Sequence, residues 1–158
     1  MKAAVRRVHD ALQASGVEPR IVEFSESTRT AEDAARAIGT TVERIVKSLV
    51  FVADDRPVLV LVSGVNRVDM ARLASVLGAE ARRANADAVR AATGFAIGGV
   101  PPLGHATALP ILLDEDLLHY DLVYAAAGTP NAVFPIAPDM LLRVTGARVA
   151  AVKEEVLS

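Results

Sequence analysis

Two apolar, β-branched runs, Val46 to Ala53 and Pro57 to Ser63, are separated only by Asp54-Asp55-Arg56. A connection that short joins antiparallel neighbours; parallel strands need a crossover of a dozen or more residues. The runs therefore form a hairpin. Both strands are apolar on successive residues, which places them near the centre of a sheet with both faces covered. A central antiparallel hairpin argues against a doubly wound parallel sheet and directs the chain to a mixed helix-and-sheet, α+β fold.

The remaining segments fit around that hairpin. Val5, Val8 and Leu12 recur at helical spacing within residues 2 to 15, with Gly16 as a stop, and Arg20 to Phe24 reads as a strand. Thr30-Ala31-Glu32-Asp33 resembles a capping box opening a helix that ends at Gly39, and Thr40-Thr41-Val42-Glu43 starts another of about one turn. Val68 to Leu77 carries an apolar stripe ending at Gly78, and Asn85 caps a short helix ending near Thr93-Gly94. Leu109 to Leu113 and Leu122 to Ala126 read as strands flanking the acidic turn Asp114-Glu115-Asp116, whose acids are expected to cap a helix and face solvent. Pro138 and Asp139 open a last short helix before a final strand from Arg148 to Val152.

At 158 residues and 52% hydrophobic content, one domain spanning residues 1–158 can bury a core without covalent staples. The absence of cysteine removes disulfides, thiolate nucleophiles and cysteine metal sites. Met1 to Arg7 lacks an apolar signal core, and no apolar run approaches the roughly 20 residues of a membrane span. A cytoplasmic protein with no membrane partner is expected. The net charge of −2 conceals an uneven distribution: residues 1–90 hold 14 Lys or Arg against 12 Asp or Glu, and residues 91–142 hold five acids and no Lys or Arg. Arg67, Arg72, Arg82, Arg83 and Arg90 form either a phosphate-contacting patch or a solvated helical face, without the excess of a dedicated nucleic-acid binder.

Against this background one lysine stands out. Alternation puts Lys47 on the face of Leu49 and Phe51, with Val46, Ser48, Val50 and Val52 opposite. An unpaired buried ammonium is costly, so Lys47 must lie at the strand's open end, pair with an anion or lose its charge. A purely structural arrangement, stem packed and head paired to a carboxylate, is one outcome. The other is a cation held for a ligand. The stiff loop Gly98-Gly99-Val100-Pro101-Pro102-Leu103-Gly104 favours the second, because glycines allow close main-chain approach and prolines hold the shape. Gly128-Thr129-Pro130-Asn131 offers a second wall of the same kind. No dinucleotide fingerprint, Walker loop, G-x-S-x-G elbow or H-E-x-x-H motif occurs, and His9, His105 and His119 are too scattered for a metal site.

Four segments together resemble the YbaK family, which is similar to the editing domain inserted in bacterial prolyl-tRNA synthetases. They are Ser27 to Ala35, the Ile45-Val46-Lys47-Ser48-Leu49 strand, Thr93-Gly94-Phe95 running into the Gly98 to Gly104 loop, and Ala127-Gly128-Thr129-Pro130. The resemblance covers nearly the whole chain and implies a single compact α+β domain, a mixed curved β-sheet surrounded by short helices. It implies trans-editing: hydrolysis, without cofactor or metal, of the ester joining a wrong small amino acid (alanine, serine, threonine or cysteine) to the 3′ end of tRNA-Pro or a related tRNA. Lys47 matches the family's functional lysine and Gly98 to Pro102 its G-x-x-x-P loop. The resemblance thus makes Lys47, Gly98 and Gly99 the catalytic set, with the glycine N–H groups holding the aminoacyl carbonyl. Thr28, Ser48, Val100, Pro101, Pro102, Gly104, Gly128, Thr129, Pro130 and Asn131 would bind substrate. Editing relatives carry histidine in the closing loop where this chain has Thr129-Pro130-Asn131. The expected partner is aminoacyl-tRNA, with a synthetase or elongation factor supplying tRNA affinity, and the oligomeric state stays open between monomer and homodimer. A catalytically silent module that binds tRNA ends, nucleotides or a synthetase through the same pocket is the alternative.

Overall fold

A computed structural model describes residues 1–25 and 30–155. The hairpin is present as β2 (Val46–Ala53) and β3 (Arg56–Ser63), paired in register from Val46↔Ser63 to Ala53↔Arg56. Asp54 and Asp55 alone form its turn, with φ of 51° and 59°. Positive φ at both central residues is the type I′ geometry whose twist matches that of the strands, and aspartate is among the residues that tolerate it. Pro57 is accommodated because it opposes Val52 at a site where the β2 ladder needs no N–H, and the strand on its other side begins pairing only at Leu59.

Around the hairpin stand α1 (Ala3–Ala14), β1 (Val22–Glu23), α2 (Ala31–Ile38), α3 (Met70–Leu77), β4 (Ala81–Arg83), α4 (Ala86–Thr93), β5 (Ile111–Asp114), β6 (Val123–Ala126), β7 (Ala132–Ile136), α5 (Pro138–Thr145) and β8 (Arg148–Ala150). The strands fall into a five-stranded sheet, β4-β2-β3-β5-β8, and a three-stranded sheet, β1-β7-β6. The hairpin is central in the first, as expected, and β5 and β8 add to it in parallel. A parallel bridge between Ile45 and Tyr124 ties the start of β2 to β6, so the curvature expected of one sheet is distributed over two joined ladders.

Two strands escape the sequence reading. The β4 segment Ala81-Arg82-Arg83 has no apolar alternation and exists because it pairs with the end of β2. The other, β7, contains Pro135, which argues against a central strand; Pro135 opposes Tyr124 at a position where the β6 ladder needs no N–H, and β1 reaches only Val133. Burial explains why the hairpin is apolar on both faces. Val46, Val50, Leu59 and Leu61 pack with Val5, Val8 and Leu12 of α1 and with Phe95 and Phe134, while Phe51, Val58, Val60 and Val62 pack with Leu73 of α3 and Val152. Among the described residues no helix is long and apolar enough to cross a membrane.

Helix ends follow local chemistry. The Thr30 side chain accepts from Asp33 N–H at 3.0 Å, Asp69 caps α3, and Asn85 Oδ1 accepts from Ala88 N–H at 2.8 Å. The cap at Asp69 starts α3 two residues later than the apolar stripe suggested, because Val68 is drawn into a bridge with Lys153. Asp114 departs most from expectation. It caps the 3-10 turn Glu115–His119 by accepting from Asp116 N–H at 3.0 Å, yet it is completely buried rather than solvent-facing.

Candidate active site

Below Ala53 the two edges of β2 have different fates. One is paired with β3 throughout. The other is covered by β4 only from Phe51 to Ala53, with Ala84 N–H adding a 3.0 Å bond to Val50 O, and is met again at the Ile45–Tyr124 bridge. Between those points a cleft of about 420 Å³ opens, lined by residues of both β2 and β6, a size suited to a small-molecule moiety. Ladder alternation directs the main-chain N–H and C=O of Ser48 away from β3, toward this open edge. Its side chain adds to the polarity: Ser48 Oγ is shielded from solvent and has no hydrogen-bond partner among the described residues.

Lys47 lines the same cleft, as do Glu32 in the first turn of α2, Arg83, Gly98, Val100, Tyr124, Thr129 and Pro130. The lysine is half-buried near the start of β2, where it lines the open cleft, and its ammonium bonds no carboxylate among the described residues. It donates to a main-chain carbonyl, Asn66 O, at 2.5 Å. Burial holds the amine below the ordinary lysine range; Glu32 and Asp114 pull it upward, and the Arg67 and Arg83 guanidiniums push it further down.

The glycine–proline loop divides between the cleft and the scaffold. Gly98, at φ 93°, and Val100 line the cleft, and the Gly98 backbone faces the Pro130 ring. Gly99 does not line it. The sequence reading assigned the Gly99 N–H to the substrate, but that group donates to Ala96 O at 3.0 Å and closes a turn. A Cβ at Gly99 would stand 2.6 Å from Gly128 O, so this glycine serves the close approach of the two loops. Gly128 is constrained likewise, with φ of 102° and only 2.6 Å between a would-be Cβ and Ala4 O of α1.

Pro101, Pro102, Gly104 and Asn131 also stand behind the wall. Pro101 and Pro102 are buried, and the Pro101 carbonyl lies 2.7 Å from His105 Nε2. Gly104, at φ 82°, packs near Ala11 of α1. Asn131 accepts from Thr129 Oγ1 at 2.9 Å and donates through Nδ2 to Phe24 O at 2.8 Å, bracing the β6–β7 loop against the segment after β1. Thr28, with Ser27 and Arg29, lies outside the described residues. Thr93-Gly94-Phe95 anchors the loop's other end: Thr93 Oγ1 accepts from Phe95 N–H at 3.0 Å, and the Arg7 guanidinium lies 4.4 Å from the Phe95 ring centroid while bonding Gly94 O.

The sequence reading missed Glu32, Arg83 and Tyr124 as cleft residues. The sequence places Glu32 in a capping box and Arg83 in an arginine group that is either a phosphate-contacting patch or a solvated helical face; no local pattern marks either as a neighbour of Lys47.

The chain and its fold are similar to those of known proteins. A solved structure named "Crystal structure of a putative trans-editing enzyme for prolyl tRNA synthetase" superposes with a TM-score of 0.94 at 51% identity, covering 98% of this chain and 99% of that one. The "Putative Cys-tRNA(Pro)/Cys-tRNA(Cys) deacylase EbsC" of Enterococcus faecalis is 28% identical over 131 residues, 82% of this chain and 80% of that protein. A proline–tRNA ligase of Lactobacillus gasseri is 39% identical over 102 residues, which is 63% of this chain but only 18% of the ligase. The family model described as the aminoacyl-tRNA editing domain matches residues 25–144, a span that contains Lys47, the Gly98 loop and the Gly128 loop, and the chain belongs to that family.

Proposed function

We propose that the cleft hydrolyses the ester between a small amino acid and the 3′-terminal ribose of a tRNA. The observation that carries this reading is the convergence of Lys47, Ser48, Gly98 and Pro130 on one cleft of about 420 Å³ beside an open strand edge. The half-buried cation of Lys47 faces the phosphate and ester end of the substrate, where desolvation strengthens its pull on negative charge. Ser48 supplies the main-chain N–H at the open edge and a hydroxyl without a partner among the described residues, which together hold the aminoacyl group. This assignment replaces the Gly99 donor, whose N–H is already committed. Gly98, Val100, Thr129 and Pro130 form the wall that limits the size of the amino-acid side chain.

Water adds to the ester carbonyl, the bond to the ribose oxygen breaks, and that oxygen leaves as a hydroxyl after taking a proton. The products are the free amino acid and an uncharged tRNA. With no cysteine in the chain, rate enhancement comes from positioning and electrostatics, and the neighbouring ribose hydroxyl is suitably placed to assist. The family resemblance makes alanine, serine, threonine and cysteine on tRNA-Pro or a related tRNA the esters to test, and the name of one relative, which gives cysteine on tRNA-Pro or tRNA-Cys, puts cysteine first.

A panel of tRNAs charged with these amino acids, incubated with wild type and Lys47→Ala, decides the matter. Wild type should discharge at least one member, and Lys47→Ala should lower that rate by about 10²-fold or more, the scale of removing one preorganised charge-stabilising donor. Ester loss no faster than in buffer for every member overturns the enzyme reading, and stable tRNA binding without turnover identifies a binding module in its place.

A further inference from the structure

We propose that Asn66 is a positioning residue for Lys47: two carboxylates clamp its side chain so that its main-chain carbonyl becomes a fixed acceptor for the Lys47 ammonium. The proposal rests on the reading that Lys47 acts on the substrate.

Asn66 lies in the connection between β3 and α3. Its carbonyl receives the Lys47 ammonium at 2.5 Å, and its own N–H donates to Ser63 O at 2.9 Å. The side-chain amide is held twice over, donating to Asp114 Oδ2 at 2.7 Å and to Asp116 Oδ2 at 2.8 Å. Each carboxylate is anchored in turn. Asp114, completely buried, also accepts from Ser63 N–H at 3.1 Å and Asp116 N–H at 3.0 Å, and Asp116 accepts from Lys153 Nζ at 2.7 Å. The next residue is fixed as well, since Arg67 O accepts from Glu154 N–H at 2.8 Å.

Two distant parts of the chain thus hold this connection: the Asp114–Asp116 turn after β5, which grips the Asn66 side chain, and the segment after β8, which braces Asp116 and Arg67. Their bonds leave Asn66 one orientation. A buried carboxylate is costly, and holding an ordinary surface connection in shape does not require one. The arrangement does suit a lysine, whose flexible four-carbon stem otherwise samples many rotamers; a rigid acceptor selects one of them. Because a carbonyl satisfies the ammonium without neutralising it, the positive charge stays available to a phosphate or an ester oxygen in the cleft.

The chain has only three lysines, Lys2, Lys47 and Lys153, so ¹³Cε-lysine labelling gives three signals, with Lys47 assigned by its loss in Lys47→Arg. Two readouts are compared in wild type and Asn66→Ala: the pH titration of the Lys47 signal, and single-turnover deacylation in Lys47 and Lys47→Ala backgrounds. Asn66→Ala should move the Lys47 titration to lower pH and slow deacylation about tenfold, with the half-saturating tRNA concentration within about twofold and no further loss in Lys47→Ala. An unmoved Lys47 signal, or an equal rate loss in both backgrounds, overturns the proposal and leaves Asn66 a purely structural residue. Should Asn66→Ala not fold, Asp116→Asn decides, because it keeps an oxygen acceptor for Asn66 but removes the Lys153 ion pair: a smaller shift in the same direction supports the proposal and an unmoved signal overturns it. If wild type discharges no tRNA in the panel, the functional reading fails, and the Lys47 titration alone still decides whether Asn66 positions the lysine.

Discussion

The wall of the cleft that carries Lys47 and the wall that carries Gly98 and Pro130 keep their shapes by opposite means. On the five-stranded side, order comes from charge and directed bonds: Asp114 and Asp116 grip Asn66, Asn66 grips Lys47, and Lys153 balances Asp116. On the other side, order comes from close backbone packing, with Ala4 of α1 under Gly128 and the Gly128 loop against Gly99. The first kind of wall responds to pH and to loss of a hydrogen-bonding group. The second responds to the addition of a single methyl group. A site assembled this way can tune its electrostatics and its pocket size by separate substitutions.

The largest effect expected from that contrast lies on the steric side. Gly128→Ala places a Cβ 2.6 Å from a backbone carbonyl at a φ of 102°, and should cost about 3 kcal/mol, a fall in Tm of roughly 6–12 °C. Gly98→Ala, where the nearest atom is a Pro130 side-chain carbon at 3.6 Å, should cost only about 1 kcal/mol. Equal losses of Tm for the two variants in thermal melts would break the idea that backbone packing shapes this wall. Ser48→Ala sharpens the comparison from the cleft floor. The hydroxyl has no partner among the described residues, so removing it should leave stability unchanged or raise it by about 1 kcal/mol. At the same time the ratio of deacylation rates between seryl or cysteinyl and alanyl esters should change by about tenfold. A clear loss of stability in denaturant titration would show that Ser48 is a structural hydroxyl.

The smallest effect concerns the charged wall. The Lys153 hydrogen bond, helped by the Asn66 amide, holds the Asp116 carboxyl below its ordinary range. A depressed carboxylate contributes stability above its unfolded-state value and loses it as pH falls through the folded one. Wild type should therefore exceed Asp116→Asn in Tm by roughly 1–3 °C near neutral pH, a solvent-screened effect, and the gap should close as pH falls through and below the carboxylate range. A gap that stays constant across the acid titration would remove Asp116 ionisation from the account.

Much of the fold was legible because it is written locally. The hairpin, the helix caps at Thr30 and Asn85 and the glycine stops at Gly39, Gly78 and Gly94 each depend on residues within a few positions of one another. The strands β4 and β7 were not legible, since Ala81-Arg82-Arg83 and a Pro135-containing run become strands only when β2 and β6 lie beside them. The site divided along the same line. Lys47, Ser48, Gly98, Val100, Thr129 and Pro130 stand at the cleft as their motifs suggested, whereas Gly99, Pro101, Pro102, Gly104, Gly128 and Asn131, drawn from the same motifs, support it from behind. A motif records that a loop is constrained without recording which of its atoms face outward.

The sequence by itself determined that a lysine would sit early on a central antiparallel strand, because two continuous apolar runs joined by the short Asp54-Asp55-Arg56 connection allow that segment little else. Only the tertiary structure decided what the lysine would touch. Asn66 is 19 residues from Lys47 and 48 from Asp114, and contacts across such separations are set by how sheets and helices pack, which no local pattern encodes.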